Sequence, residues 1–155
     1  MVILTAKLSK GKLIGIICAA AALLVLVILL ANRSSAADMA EAAGKKLETS
    51  ESRVEFLASC GYTVSQEPVR TQEVRIPKEF NEVYQQYNAI QQSQGFDLTK
   101  YQGKNVMQYV YLVENYPEEN SEPVYATLLL YKNKLIGGDL SRGGSEGFLR
   151  PLLAA

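Results

Sequence analysis

No histidine and no tryptophan occur among the 155 residues, and only two cysteines do. The missing histidine excludes Ser-His-Asp and Cys-His nucleophiles, as well as His-ligated zinc or haem. Cys18 and Cys60 are too few for a four-thiolate metal set or a disulfide framework. No cofactor and no metal are expected. Net charge is also absent, but the zero hides an asymmetry. The first twelve residues hold Lys7, Lys10 and Lys12 and no acid, whereas residues 45–155 hold twelve Lys/Arg against fourteen Asp/Glu, a net of −2. A body of that sign offers no basic field to phosphates, which argues against a nucleic-acid partner.

What the sequence does have is one long apolar run. Residues 13–31 read LIGIICAAAALLVLVILLA, nineteen positions without a charge. As a helix they would extend about 28 Å, close to the ~30 Å hydrocarbon core of a bilayer. A soluble core helix would carry a polar stripe, and none is present. The expectation is a transmembrane helix with the lipid bilayer as its partner. The preceding lysines place the N-terminus in the cytoplasm and everything after Asn32 outside. The chain then divides into a cytoplasmic stub (1–12), the span (13–31), a linker (32–47) and an extracytoplasmic domain (48–153), located at the cell membrane as a single-pass protein. The alternative is signal cleavage at the small residues Ser34, Ser35, Ala36 and Ala37, giving a secreted domain. The apolar run exceeds the roughly 7–15 residues of a removable segment, and Arg33 follows it as a snorkelling anchor would. An uncleaved anchor is therefore preferred. Thirteen further apolar positions follow Cys18, so that thiol reads as a small apolar group in lipid rather than a lipidated cysteine.

Beyond the linker the periodicity alternates. Ser50 reads as a helix N-cap with Glu51 in the first turn; Val54, Leu57 and Ala58 share a face, which Phe56 and Cys60 extend, and Gly61 closes the helix. Residues 62–76 form an extended run broken at Pro68. Pro77 suits the first turn of a second helix, along which Phe80, Val83, Tyr84, Tyr87 and Ile90 make one apolar stripe up to Gly95. In GFDLTKYQGK, Asp97 can accept from nearby backbone N–H groups and Gly103 can take positive φ. Residues 105–115 and 123–132 read as strands on either side of an exposed PEENSEP loop. Asn133 and Lys134 suit a hairpin turn, and a third strand begins at Leu135. Such short connections predict an α+β fold, an antiparallel meander sheet with helices packed on one face. The expected core comprises Leu57, Phe80, Val83, Tyr87, Ile90, Val110, Leu112, Leu128 and Leu130.

The ordered series FLASCGYTV, VRIP, EFNEVYQQYNAIQQSQGFDLTKYQGK, YVYLVENYP, LLLYKNKLIGGDL and GFLRPL resembles one family, covering nearly all of residues 56–152. That family comprises extracytoplasmic, membrane-anchored domains of Gram-positive bacteria known as domain of unknown function 4830. The resemblance implies an anchored external domain and carries no activity onto particular residues. It also implies an aromatic ring, often Trp, near Tyr62, where this chain keeps the ring without the indole donor.

Two groups of residues are candidates for binding. In LIGGDLSRGG, Gly137, Gly138, Asp139, Arg142, Gly143 and Gly144 could form an anion-holding loop from backbone N–H groups and a guanidinium. The spacing matches neither a dinucleotide fingerprint nor a phosphate-binding loop. The structural reading is preferred: Gly137 and Gly138 mark a bulge or close backbone contact, Asp139 accepts turn N–H groups, and Gly143 and Gly144 lead to Ser145 capping a short helix at 146–149. Second, Tyr109 and Tyr111 share parity on one strand, and Tyr125 and Tyr131 on the next. A register aligning them would put four phenols on one face, suited to glycan or peptide, unless helices cover it. Spacing pairs none of the acids Asp97, Glu114, Asp139 and Glu146, so a carboxylate-dependent hydrolase is an alternative only. A structural envelope protein is another. Cys60 reads as a buried free thiol. The preferred function is a non-enzymatic, membrane-anchored module that binds a peptide, a protein or an envelope glycan.

Overall fold

The structure, a computed structural model, describes residues 41–116, 122–144 and 147–153. The expected stub and transmembrane helix, most of the PEENSEP loop, and Ser145 and Glu146 lie outside the described residues. All of the described residues fall in the compact unit Ala37–Ala155. Among them no helix is long and apolar enough to cross a membrane.

Helix α1 spans Ser50–Ser59. Its cap is Thr49, one residue before the expected Ser50. The Thr49 hydroxyl accepts from Ser52 N at 3.2 Å while Ser52 Oγ accepts from Thr49 N at 3.1 Å, which satisfies two otherwise orphaned donors at once. Gly61 follows the helix at φ 93°, as its closing role requires. Val64 then bridges to Val113 before the chain breaks around Pro68 and enters strand β1, Arg70–Arg75. Helix α2 spans Glu82–Gln92. It does not start at Pro77, because the Asn81 side chain supplies the cap by accepting from Tyr84 N at 2.9 Å. Asp97 caps the 3₁₀ turn Leu98–Tyr101.

Strands β2 (Asn105–Val113), β3 (Val124–Tyr131), β4 (Lys134–Arg142) and β5 (Phe148–Pro151) complete an antiparallel sheet of order β1-β2-β3-β4-β5. The meander is as expected. The β3–β4 turn falls one residue earlier than expected, at Lys132 and Asn133, whose φ values of 50° and 62° match the twist of the flanking strands. The helix expected at 146–149 is replaced at its described positions by β5, because residues 148–151 find the open edge of β4.

The helices do not share one face of the sheet. Side chains alternate along β3, and each set contributes buried residues. Val124, Ala126, Leu128 and Leu130 pack with Phe56 and Leu57 of α1, whereas Leu129 packs with Ile76, Leu98, Val106 and the α2 residues Tyr84 and Tyr87. Two cores, one on each side, replace the single covered face. Val83, expected in the core, is 73 % exposed. The expected linker is also partly domain. Ala42 and Leu47 are buried, and Gly44 N donates to Leu135 O while Leu135 N donates to Lys45 O.

Candidate functional site

The glycine-rich stretch is mostly strand. Gly137 and Gly138 lie in β4. Leu129 faces Gly137 while Leu130 faces Leu135, so Ile136 is an extra residue and the expected bulge is present. Both glycines serve close approach. A Cβ on Gly137 would stand 2.9 Å from Gln91 Oε1, and one on Gly138 would stand 2.8 Å from Leu152 Cδ2 and 2.9 Å from Thr127 O.

The reason lies in two glutamines that sequence reasoning passed over. β5 pairs with β4 only from Asp139 to Arg142, leaving Gly138 without a strand partner on that side. Side-chain amides continue the ladder instead. Gln91 Oε1 accepts from Gly138 N at 2.9 Å, and Gln94 Nε2 donates to Gly138 O at 2.9 Å. Gln94 Oε1 accepts from Leu152 N at 2.7 Å and Leu153 N at 2.9 Å. Both glutamines are fully buried. Their signal was the recurrence of Asn88, Gln91 and Gln94 every three residues, a helical stripe made of amides.

Asp139 is not a turn acceptor. It is 4 % exposed, facing α2, and its Oδ2 accepts from the Tyr87 hydroxyl at 2.8 Å. The Thr127 side chain hydrogen-bonds it from β3. Burial raises the Asp139 carboxyl to about 6, against the lowering effect of both hydroxyls. Burial and the neighbouring carboxylate likewise push the Tyr87 phenol upward. Phe80, Tyr84 and Tyr87 form a ladder of rings with centroids 4.6 and 5.7 Å apart. Arg142 lies at the end of β4 with its guanidinium 4.9 Å above the Phe148 ring. Gly143 and Gly144 are exposed, and Gly144 has φ 84°. Asp139, buried against α2, is therefore separated from the exposed glycine turn, and the six residues form no common loop.

The four expected phenols are divided between two faces. Tyr109 pairs with Leu128 and Tyr111 with Ala126, on the α1 side, whereas Tyr125 pairs with Leu112 and Tyr131 closes the hairpin on the α2 side. Tyr111 is fully buried and accepts from Arg53 Nε at 2.9 Å. Tyr131 meets the Tyr101 ring at 5.5 Å. Tyr125 belongs to a different feature. The register places Leu112, Tyr125, Ser141 and Leu149 side by side across β2, β3, β4 and β5. The first three are half-buried and Leu149 is 44 % exposed. α2 packs over β4, β5 and the 3₁₀ turn, and this row keeps partial exposure to solvent.

The acids hold separate roles. Asp97 accepts from Thr99 N and Oγ1 and from Asn88, and these bonds hold its carboxyl below the usual range. Glu114 is exposed. Among the described residues no group of three His, Cys, Asp or Glu is placed to hold a metal ion. Cys60 is a free, half-buried thiol pushed upward by burial. Tyr62 donates to Leu152 O at 3.1 Å, tying the end of β5 to the loop after α1.

A family model described as a domain of unknown function (DUF4830) matches residues 56–140, more than half of the chain. No curated protein and no solved structure matches.

Proposed function

The chain belongs to the family of domains of unknown function DUF4830, and we propose that its folded domain is a binding module for a polypeptide partner, held outside a membrane by residues 13–31. The observation behind this reading is the open row Leu112, Tyr125, Ser141 and Leu149. Strands lie about 4.8 Å apart, so the row extends roughly 14 Å, the reach of four extended residues. It combines apolar surface with one phenol and one hydroxyl, a mixture suited to a peptide segment with apolar side chains. Support for binding over hydrolysis comes from the acids: Asp97 and Asp139 share no hydrogen-bond partner, and each is engaged locally.

The test is a peptide-library screen against the full chain in detergent micelles. Peptides retained by the wild type should be lost from a Leu112→Ser, Leu149→Ser double variant and kept by Thr71→Ala on the β1 edge. Equal retention by both variants would refute the role of the row. The anchor has its own test, described in the Discussion.

A further inference from the structure

Arg53 of α1 is 7 % exposed, yet no acid stands within ion-pair distance of it, and the exposed Glu51 acts on it only from farther off. Its Nε donates to the Tyr111 hydroxyl at 2.9 Å, and its Nη1 reaches Leu47 O at 3.3 Å and Glu48 O at 3.4 Å. Its carbon centre stands 4.0 Å over the Tyr109 ring. All four partners are neutral. Among the described residues the ion pair within 4.0 Å is Lys46–Glu48 at the surface, and Arg53 takes part in none. A guanidinium cannot shed its proton to relieve burial. An uncompensated buried charge is costly, and proteins ordinarily provide a counter-charge. Here the protein provides hydrogen bonds and a π face, with the solvent-screened Glu51 acting only at longer range.

The donor inventory shows where a counter-charge would go. A guanidinium has five N–H groups in a planar fork. Nε and Nη1 face inward to the phenol and the two carbonyls. Nη2 donates to no group of the protein, and it is not among the buried atoms that lack a partner, so it keeps contact with solvent. Tyr109 stacks beneath the same guanidinium. Ser50 Oγ stands 3.5 Å from the Tyr111 hydroxyl that receives Nε. The guanidinium is thus immobilised on three sides and open on the fourth.

We infer that the Nη2 edge of Arg53 is a binding site for a small oxyanion, a carboxylate or a phosphate. The free Nη2 N–H groups favour such oxygen groups over a halide because carboxylate and phosphate oxygens accept short charge-assisted hydrogen bonds. The restraint by Tyr109, Tyr111 and the two carbonyls removes most of the rotamer entropy that binding otherwise costs. The site lies on the α1 side of the sheet, opposite the Leu112–Leu149 row, and stands independently of the proposed polypeptide surface.

The test uses the full chain in detergent micelles, titrated at constant ionic strength with acetate, inorganic phosphate or chloride. The Arg53 Nε–H resonance is followed by nitrogen-edited NMR. Saturable movement of that resonance with acetate or phosphate, and not with chloride, is expected. Acetate alone would identify a carboxylate site, and phosphate alone a phosphate site. Arg53→Lys keeps the charge but loses the fork, and should weaken the apparent affinity at least tenfold. Should that variant fail to fold, Tyr109→Leu serves instead, since loss of the stacked ring should weaken binding severalfold while the Arg142 and Arg150 resonances stay unchanged. No saturable shift at Arg53 with either oxyanion, or equal shifts with chloride, would overturn the proposal.

Discussion

Asp139 shows what burial does to a single carboxyl. Its native value of about 6 lies above the ordinary 3.8, so the folded state holds the proton more tightly than the unfolded chain. A raised acid stabilises the fold below its unfolded value, and that contribution disappears as pH rises through the native value. Stability should therefore fall between about pH 4 and pH 6, by at most about 3 kcal/mol for a two-unit difference. Asp139→Asn keeps an acceptor for Tyr87 and removes the titration. Denaturant unfolding as a function of pH should show that slope flattened and the variant more stable at pH 7 than the wild type. Gln94 presents the opposite case, a neutral group that cannot be spared. Replacing it with Met leaves Gly138 O, Leu152 N and Leu153 N without their partner. The bonds to Gly138 O and Leu152 N are buried, and each unsatisfied buried group costs about 1–3 kcal/mol, so a loss of about 2–6 kcal/mol should appear as a lower denaturation midpoint. Gly138→Ala places a methyl against Leu152 and the Thr127 carbonyl. It should cost about 1–3 kcal/mol by overpacking, measured in the same way.

The elements differ in how openly their sequences declare them. The two central strands, the hairpin and both helices are set by local signals: β-branched and aromatic runs, an Asn tolerant of positive φ, and hydroxyl or amide caps. The Thr49 cap illustrates their scale. Thr49→Ala should reduce stability by about 1 kcal/mol, read from thermal unfolding. Leu128, fully buried beneath α1, belongs to the larger scale of packing, and Leu128→Ala should cost about 2–5 kcal/mol. β5 was misread because residues 146–149 carry no strong period of their own. Residues 148–151 become a strand where the β4 edge supplies partners for their backbone. α2 was expected from Pro77 and begins at Glu82, and its buried face was assigned by hydrophobicity. The face against the sheet carries Tyr84, Tyr87, Asn88 and Gln91, since it meets polar groups that need hydrogen bonds: the Asp139 carboxyl, Leu98 N and Gly138 N.

For the whole molecule, the proposal rests on two parts of the chain. The charge-free run 13–31 behind three lysines gives the expectation that the protein fractionates with membranes and resists alkaline extraction. Protease added to spheroplasts should digest the folded domain. A mature form beginning near Ala37 in the medium, or a domain protected in intact spheroplasts, would refute the anchor or its orientation. The folded domain offers two faces of different character: one open row on the α2 side, and one buried guanidinium on the α1 side.

By itself the sequence determined the class of elements and the meander, because these follow from periodicity, turn chemistry and short connections, all local in the chain; its ordered motifs carried the resemblance to the family. It also identified Gly137 and Gly138 as points of close approach or bulge, since glycine inside an apolar strand has few other uses. Tertiary structure alone decided which faces those elements turned to one another. The parity of Tyr109 and Tyr111 is legible, and so is that of Tyr125 and Tyr131, but the register between the two strands is not. A shift of one residue in pairing moves every side chain to the other face of the sheet. The same holds for Asp139, Gln94 and Arg53. Each has a partner dozens of residues away, and only the packing of helices on both sides of the sheet removes these polar groups from water and gives each its role.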